Sequence, residues 1–292
     1  MMNDPATQWL AAMHCGDYAA AFRINEAVIA ARDPLNRDDP RLPYHLRWVW
    51  DGRPYEGRNV LVRCYHGLGD TLQFARYLPI LRQGVSSLTL EAPGALIPLF
   101  ASLPGIDRLV PFVEHAPIPQ SECDLEIMEL PFALKLAPDA VLPPYIKSSA
   151  APLPKGTIGL CWQAGDWDGE RSLPPDLLAP LTSRPCVTLQ TSPTALPVLN
   201  PEGCPKDMVA TAMLLAGLDL LVTVDTMVAH LAGALGTPTW LLLKRDADWR
   251  WLRGRADSPW YPSMRLFRQK EAGDWLSVVT GLMQDFASLS AG

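Results

Sequence analysis

The chain has little charge. Asp, Glu, Lys and Arg make up 19% of its 292 residues, and acids outnumber bases 31 to 25, for a net charge of −6. A basic surface able to hold nucleic acid is therefore not expected. Paired cysteines are also missing. The six present (15, 64, 123, 161, 186 and 204) form no C-x-x-C pair, and most sit in apolar runs, as Cys161 does in Ile158-Gly-Leu-Cys-Trp162. Buried, reduced thiols explain that pattern better than disulfides or a zinc site. No run of about 18 apolar residues is present to span a bilayer. The start, Met1-Met-Asn-Asp-Pro-Ala, lacks the basic and apolar stretches of a signal peptide, so a cytoplasmic protein without a transmembrane segment is expected. H-E-x-x-H, G-x-x-x-x-G-K-[ST] and G-x-S-x-G are all absent, which argues against zinc-protease, P-loop and α/β-hydrolase chemistry.

What is present suits a packed α/β protein. Hydrophobic residues make up 48% of the chain, and its 29 prolines stand well above the usual proportion and imply many short connections. Residues 6–32 have helical spacing with a turn at Cys15-Gly16-Asp17-Tyr18. They resemble the middle of a single tetratricopeptide repeat, but no second copy follows, so a helical hairpin packed on the main body is expected. With the irregular connector after it, this segment spans 1–57. From Arg58, strands expected near 59–64, 87–91, 108–113 and 123–128 alternate with helices near 70–83, 94–103 and 131–137. A Pro-rich stretch at 142–156 reads as a linker. Strands near 157–163, 186–190, 220–224, 239–243 and 264–268 follow, with helices near 174–182, 207–217, 227–235, 246–252 and 273–288. Such alternation means parallel sheets covered by helices. The expected domains are 58–150, 151–270 and a C-terminal helix at 271–292, with a ligand in the cleft of a two-lobed molecule.

Three stretches could carry chemistry. In Leu220-Leu-Val-Thr-Val-Asp225-Thr-Met-Val-Ala-His230, a β-branched run ends at Asp225 and a helix starts at once. So short a turn places helix N–H groups at the carboxyl edge of a parallel sheet, where anions bind. His230 lies in the first turns of that helix and reads as helix-supporting or catalytic. In Val60-Leu-Val-Arg-Cys-Tyr-His-Gly67-Leu-Gly69-Asp70-Thr-Leu72, a strand enters a Gly-x-Gly turn, with Leu72 in place of the third glycine of a dinucleotide fingerprint. Asp70 stands at the helix start, as a cap or a reactive carboxylate. Arg171, in the loop after the strand ending at Trp162, is on the same sheet edge as Asp225, and a guanidinium there suits a diphosphate. The segment Lys244-Arg-Asp-Ala-Asp-Trp249-Arg-Trp251-Leu-Arg-Gly-Arg255 interleaves tryptophans with cations. Trp249 and Trp251 could stack a base or sugar, or simply pack into the core.

Together, Gly67-Leu-Gly-Asp-Thr-Leu-Gln-Phe-Ala-Arg-Tyr-Leu-Pro79, Gly159-Leu-Cys-Trp162, Arg171-Ser-Leu-Pro174, Val224-Asp-Thr-Met-Val-Ala-His-Leu-Ala-Gly-Ala-Leu-Gly236 and Ser258-Pro-Trp-Tyr-Pro262 resemble the glycosyltransferase family of the bacterial ADP-heptose heptosyltransferases. The nearest in pattern are its tetratricopeptide-associated relatives. The resemblance implies a GT-B fold, with two facing Rossmann-like lobes and the nucleotide-sugar held by the second. It implies a metal-independent, inverting transfer without cofactor, from a nucleoside diphosphate sugar (an ADP-sugar, heptose among the candidates) to a hydroxyl of a glycan, lipopolysaccharide or protein. Asp70 matches the family's general base and Arg171 its diphosphate cation. Asp225, Thr226, Met227, Val228 and His230 match the donor turn. Met227 stands where heptosyltransferases usually have glycine, and His66 replaces a different polar residue.

The rival expectation is a non-catalytic sugar-nucleotide or protein-binding module on the same fold. A Rossmann dehydrogenase is a weaker third, given the missing glycine and the lack of an acidic ribose ligand.

Overall fold

The computed structural model of the chain describes residues 4–165 and 167–290. The chain divides into two compact units, Met1–Ile146 and Lys147–Gly292.

The first unit opens with helices α1 (Pro5–Cys15) and α2 (Tyr18–Ala30). Local chemistry sets their ends. Asp4 accepts the Thr7 N–H at 3.1 Å and Asp17 the Ala20 N–H at 2.9 Å, while Gly16 ends α1 at φ 75°, a conformation that favours glycine. The hairpin is fastened to the sheet beyond it. Phe22 packs on Phe132 with ring centroids 5.9 Å apart, and Arg32 donates to the Trp50 carbonyl at 2.9 Å.

The sheet comprises β1 (Asn59–Arg63), β2 (Ser87–Ala92), β3 (Arg108–Pro111) and β4 (Cys123–Glu126), all parallel, in the order β3-β2-β1-β4. Helices α3 (Leu68–Phe74), α4 (Leu78–Gly84), α5 (Ile97–Phe100) and α6 (Leu130–Ala133) lie in the connections. Arg63, buried in the central strand, bridges Glu91 of β2 at 2.8 Å and Asp124 of β4 at 2.9 Å. Removing any one member would strand a buried charge.

The second unit repeats the plan. Strands β5 (Ile158–Cys161), β6 (Cys186–Thr188), β7 (Leu220–Val224), β8 (Thr239–Leu243) and β9 (Met264–Arg268) pair in parallel as β6-β5-β7-β8-β9. With them go α7 (Met208–Ala216), α8 (Met227–Leu235) and α9 (Trp275–Ser290). Leu160, Val222, Val224 and Leu242 meet Trp275, Val279 and Leu282 of α9 in the core. Strands buried on both faces read as unbroken apolar runs, as β5, β7 and β8 do, and all nine strands lie close to their expected places although β3 and β9 are partly exposed.

The helices depart more. The one expected at 70–83 is two, broken near Pro79 with a 3-10 turn at Ala75–Tyr77 between them. Those at 94–103 and 131–137 shrink to α5 and α6, each with a proline in its first turn. The segment expected as helix 174–182 is a 3-10 run, Pro175–Ser183, with Pro180 inside it. Helix 246–252 is reduced to the 3-10 turn Trp249–Trp251. Proline removes a backbone donor and clashes with the preceding turn, so Pro79 and Pro98 bar extension toward the N-terminus and Pro180 interrupts its run, whereas Pro131 starts α6 and does not account for its early end. The basic segment carries no proline, and its turn ends instead at Leu252, whose φ is 48°.

In each unit the order of strands reverses beside the first one. β1 is flanked by β2 and β4, and β5 by β6 and β7. In open parallel sheets, ligands bind outside the carboxyl ends of the strands at such a reversal. The rule picks out the ends of β1 and β4 in one unit and of β5 and β7 in the other.

Candidate functional site

In the second unit, the end of β7 carries most of the donor residues expected from sequence. Asp225 follows β7, Thr226 caps α8 without a side-chain hydrogen bond, and Met227 and Val228 form the first helical positions. The opening N–H groups of α8 are thus not covered by a cap side chain, and they carry the positive end of the helix dipole.

Arg171 reaches this turn. Its Nη1 donates to the Asp225 carbonyl at 2.9 Å, its Nε lies 3.7 Å from the Asp168 carboxylate, and its guanidinium covers the Trp167 ring at 4.1 Å. Sequence reasoning did not link this loop to Lys244, the first residue of the basic segment. Lys244, just after β8, pairs with Asp168 at 2.9 Å and Glu170 at 3.1 Å. A positive charge therefore stands under the turn, tied to its backbone.

Burial sets the state of Asp225. Removal from water pushes its carboxyl from the usual 3.8 up to about 6, and the nearby Asp248 carboxylate adds to the effect. The Trp251 indole, Arg250 and Arg171 oppose it. Near pH 6 about half of such carboxyls are neutral and can donate as well as accept a hydrogen bond.

His230 and the tryptophans divide between support and surface. His230 is buried, its Nδ1 is 3.0 Å from the Tyr261 hydroxyl, and its ring stacks on Trp251 with centroids 5.5 Å apart. Trp251, read from sequence as either a stacking face for a ligand or a core residue, is fully buried, and His230 and Tyr261 cover it. Trp249 is partly exposed, with Arg250 over its ring at 4.6 Å. Gly233 explains the tight fit, since a Cβ there would lie 2.3 Å from the Tyr261 ring.

Beside the Arg171 loop is a cavity of about 650 Å³, lined by Trp162, Gln163, Gly165, Ser172, Ser192 and Thr194 among others. Its mixed lining, with Leu173, Pro175 and Pro193 beside these polar groups, suits a sugar-like ligand with both apolar and hydroxyl faces.

In the first unit, Gly67 is the N-cap of α3 and Gly69 lies in its first turn. Asp70 turns back on this loop, its Oδ2 accepting the Gly67 N–H at 3.1 Å, the one half of a capping box that a glycine N-cap allows. Glu126, at the end of β4, passed unnoticed in the sequence. It accepts the Met128 N–H at 2.7 Å and sits 3.0 Å from Nδ1 of His66. The reversal rule, applied to the fourth strand, would have found it.

No family model matches the chain. It is 26% identical over 316 aligned positions to the protein FlbA of Caulobacter vibrioides, covering 90% of this chain and 52% of FlbA. The chain thus spans about half the length of that curated relative. Solved structures resemble it over less of this chain but over more of their own length. A glycosyltransferase of family 9 from Veillonella parvula superposes with a TM-score of 0.59 at 12% identity, over 81% of this chain and 98% of that one. Escherichia coli heptosyltransferase WaaC with ADP gives 0.51 at 14% identity, over 79% and 99%. The E. coli glycosyltransferase TibC gives 0.55 at 15% identity, over 77% and 67%. The chain has the fold of these glycosyltransferases.

Proposed function

We propose that the chain is an inverting, metal-independent glycosyltransferase acting in the cytoplasm. Its donor is a nucleoside diphosphate sugar, an ADP-sugar first among the candidates, and its acceptor a hydroxyl of a glycan, lipopolysaccharide or protein. One observation carries this reading. On a glycosyltransferase fold, Arg171 is bonded to the carbonyl of the turn that opens α8, so a cation and a row of helix N–H groups stand at one sheet edge. That is the arrangement a departing diphosphate needs, because negative charge grows on it as the glycosidic bond breaks.

The acceptor side belongs to the first unit in this reading. A hydroxyl is a weak nucleophile at neutral pH, so a positioned base accelerates its attack. Asp70 is the base that the resemblance carries over, and its bond to Gly67 fixes the direction of the carboxylate. The same bond also suits a purely structural cap, which keeps the binding-module alternative in play.

A thermal-shift panel of ADP, UDP, GDP and their sugars tests the donor assignment, followed by measurement of nucleotide release. A ligand at 100 times its Kd adds about 2.7 kcal/mol of stability. Stabilisation by one nucleotide and its sugar, with turnover of the sugar, supports the enzyme. Stabilisation without turnover across a broad acceptor panel supports the binding module. No stabilisation by any of them refutes the enzyme and the sugar-nucleotide module, leaving the protein-binding module.

A further inference from the structure

Of the ten tryptophans, Trp167 alone is exposed, at 77%. It stands in the second unit, in the loop between β5 and the 3-10 turn Gly169–Arg171. The neck of that loop is closed. The Leu173 N–H donates to the Trp162 carbonyl at 2.9 Å, and the Ala164 N–H to the Ser172 hydroxyl at 3.0 Å. The pairing of Asp168 with Lys244 at 2.9 Å restrains the far end. The ring is thus presented on a fixed frame, as a ligand contact needs to be.

One face of the indole is taken. The Arg171 guanidinium lies over it, 4.1 Å from the ring centroid, and Arg171 is itself bonded to the Asp225 carbonyl at 2.9 Å. With the ring so exposed, its other face is left to water. Gly165 and Gly169, on either side of Trp167 in the chain, both line the cavity of about 650 Å³. A Cβ on Gly165 would come within 3.8 Å of the Trp167 Cδ1. The indole therefore stands at the rim of that cavity, next to the cation of the diphosphate site.

We propose that Trp167 is a specificity residue for the donor, and that its free face takes the apolar C–H face of the transferred sugar. The proposal rests on the glycosyltransferase reading above. Two pieces of chemistry single out that ring. In a nucleoside diphosphate sugar, the transferred sugar is joined to the second phosphate through one oxygen, whereas the base stands a whole ribose beyond the first. A platform that touches the diphosphate cation meets the sugar before the base. The face of an aromatic ring is also negative, and the C–H bonds on one side of a pyranose turn their positive ends toward it. A hydroxyl pointing axially from that side would break the contact, so Trp167 selects sugars by the stereochemistry of one face.

The test uses the full chain and matched ligand pairs: ADP-heptose with ADP, UDP-glucose with UDP, and GDP-mannose with GDP. Calorimetry on the wild type finds the pair that binds. Within it, Trp167→Ala should weaken the sugar nucleotide by about 2- to 12-fold, the loss of one ring stacked on an aromatic face, and leave the free nucleotide unchanged. Trp167→Phe keeps an aromatic face and should restore most of the affinity. Acrylamide quenching of tryptophan fluorescence gives a second readout. The sugar nucleotide should protect the wild type more than the nucleotide alone, and the difference should vanish in Trp167→Phe. The side chain is mostly in water, so both variants should unfold at the wild-type denaturant midpoint.

Equal weakening of nucleotide and sugar nucleotide in Trp167→Ala would mean that the ring faces the ribose or base, or only steadies Arg171, and overturns the proposal. Unchanged sugar-nucleotide affinity in that variant, or a wild type protected no better by the sugar nucleotide than by the nucleotide, also overturns it. In each of these cases nucleotide binding persists and the glycosyltransferase reading stands. A wild type that binds none of these ligands overturns both.

Discussion

Asp225 should be a stability cost that the protein carries for function, and Asp225→Asn exposes it. The carboxyl is buried at the end of β7 and is pushed from 3.8 to about 6. Because the folded form holds its proton more tightly than the unfolded chain, stability is highest below about pH 4. It falls as pH rises through 6 and stays low above that. Each pKa unit is worth about 1.4 kcal/mol, so ionisation in the folded state costs about 3 kcal/mol. Asparagine keeps the shape and cannot ionise, but a buried amide with imperfect partners gives back about 1 kcal/mol. The variant should therefore be about 1–2 kcal/mol more stable than wild type at pH 8, and equal or slightly weaker at pH 4.5. Urea denaturation followed by tryptophan fluorescence at several pH values measures this. The same variant should bind nucleotide-sugar poorly if the carboxyl contacts the donor. A variant that is less stable than wild type by the same amount at pH 4.5 and 8 would show that ionisation is not what the fold resists there.

Two further outcomes follow from the same turn and the helix it opens. Arg171→Ala should weaken nucleoside diphosphate binding by about 1.5–3 kcal/mol, the range for hydrogen bonds to charged groups; unchanged ADP affinity by calorimetry would remove Arg171 from the donor site. In Gly233→Ala, helix propensity gains up to about 1 kcal/mol while overpacking against the Tyr261 ring costs about 1–3. The ring is fully buried and a Cβ would lie 2.3 Å from it, so a net loss of about 1–2 kcal/mol is expected; a denaturation midpoint at or above that of wild type would show that the ring yields freely.

How much could be read in advance varies with the element. Strands such as Leu220–Val224 announce themselves because parallel strands buried on both faces are apolar throughout. The turn at Asp225 was legible for the same reason, since a polar residue closes an apolar run. Helices were legible as apolar periodicity but not in extent: Pro180 sits inside its run, which is 3-10, while Pro79, Pro98 and Pro131 stand in first turns and bar extension only toward the N-terminus. Trp251 shows a limit of another kind. A tryptophan among arginines looks the same whether its ring faces solvent or His230, and only the fold tells which. The pairing of His66 with Glu126 was hidden because it joins residues 60 positions apart. Nothing local marks one as the other's partner.

The all-parallel sheets also bear on how the chain is made. Among the described strands no hairpin exists to form early, and each ladder must wait for a distant segment: Val60 pairs with both Leu88 and Cys123. Loop closure comes before any strand contact repays it, which slows folding and leaves apolar edges bare meanwhile. During synthesis, β1 leaves the ribosome long before β4 can cover its open side. A chain built this way gains from slow translation, low temperature or a chaperone that shields Val60–Arg63 until residue 126 emerges.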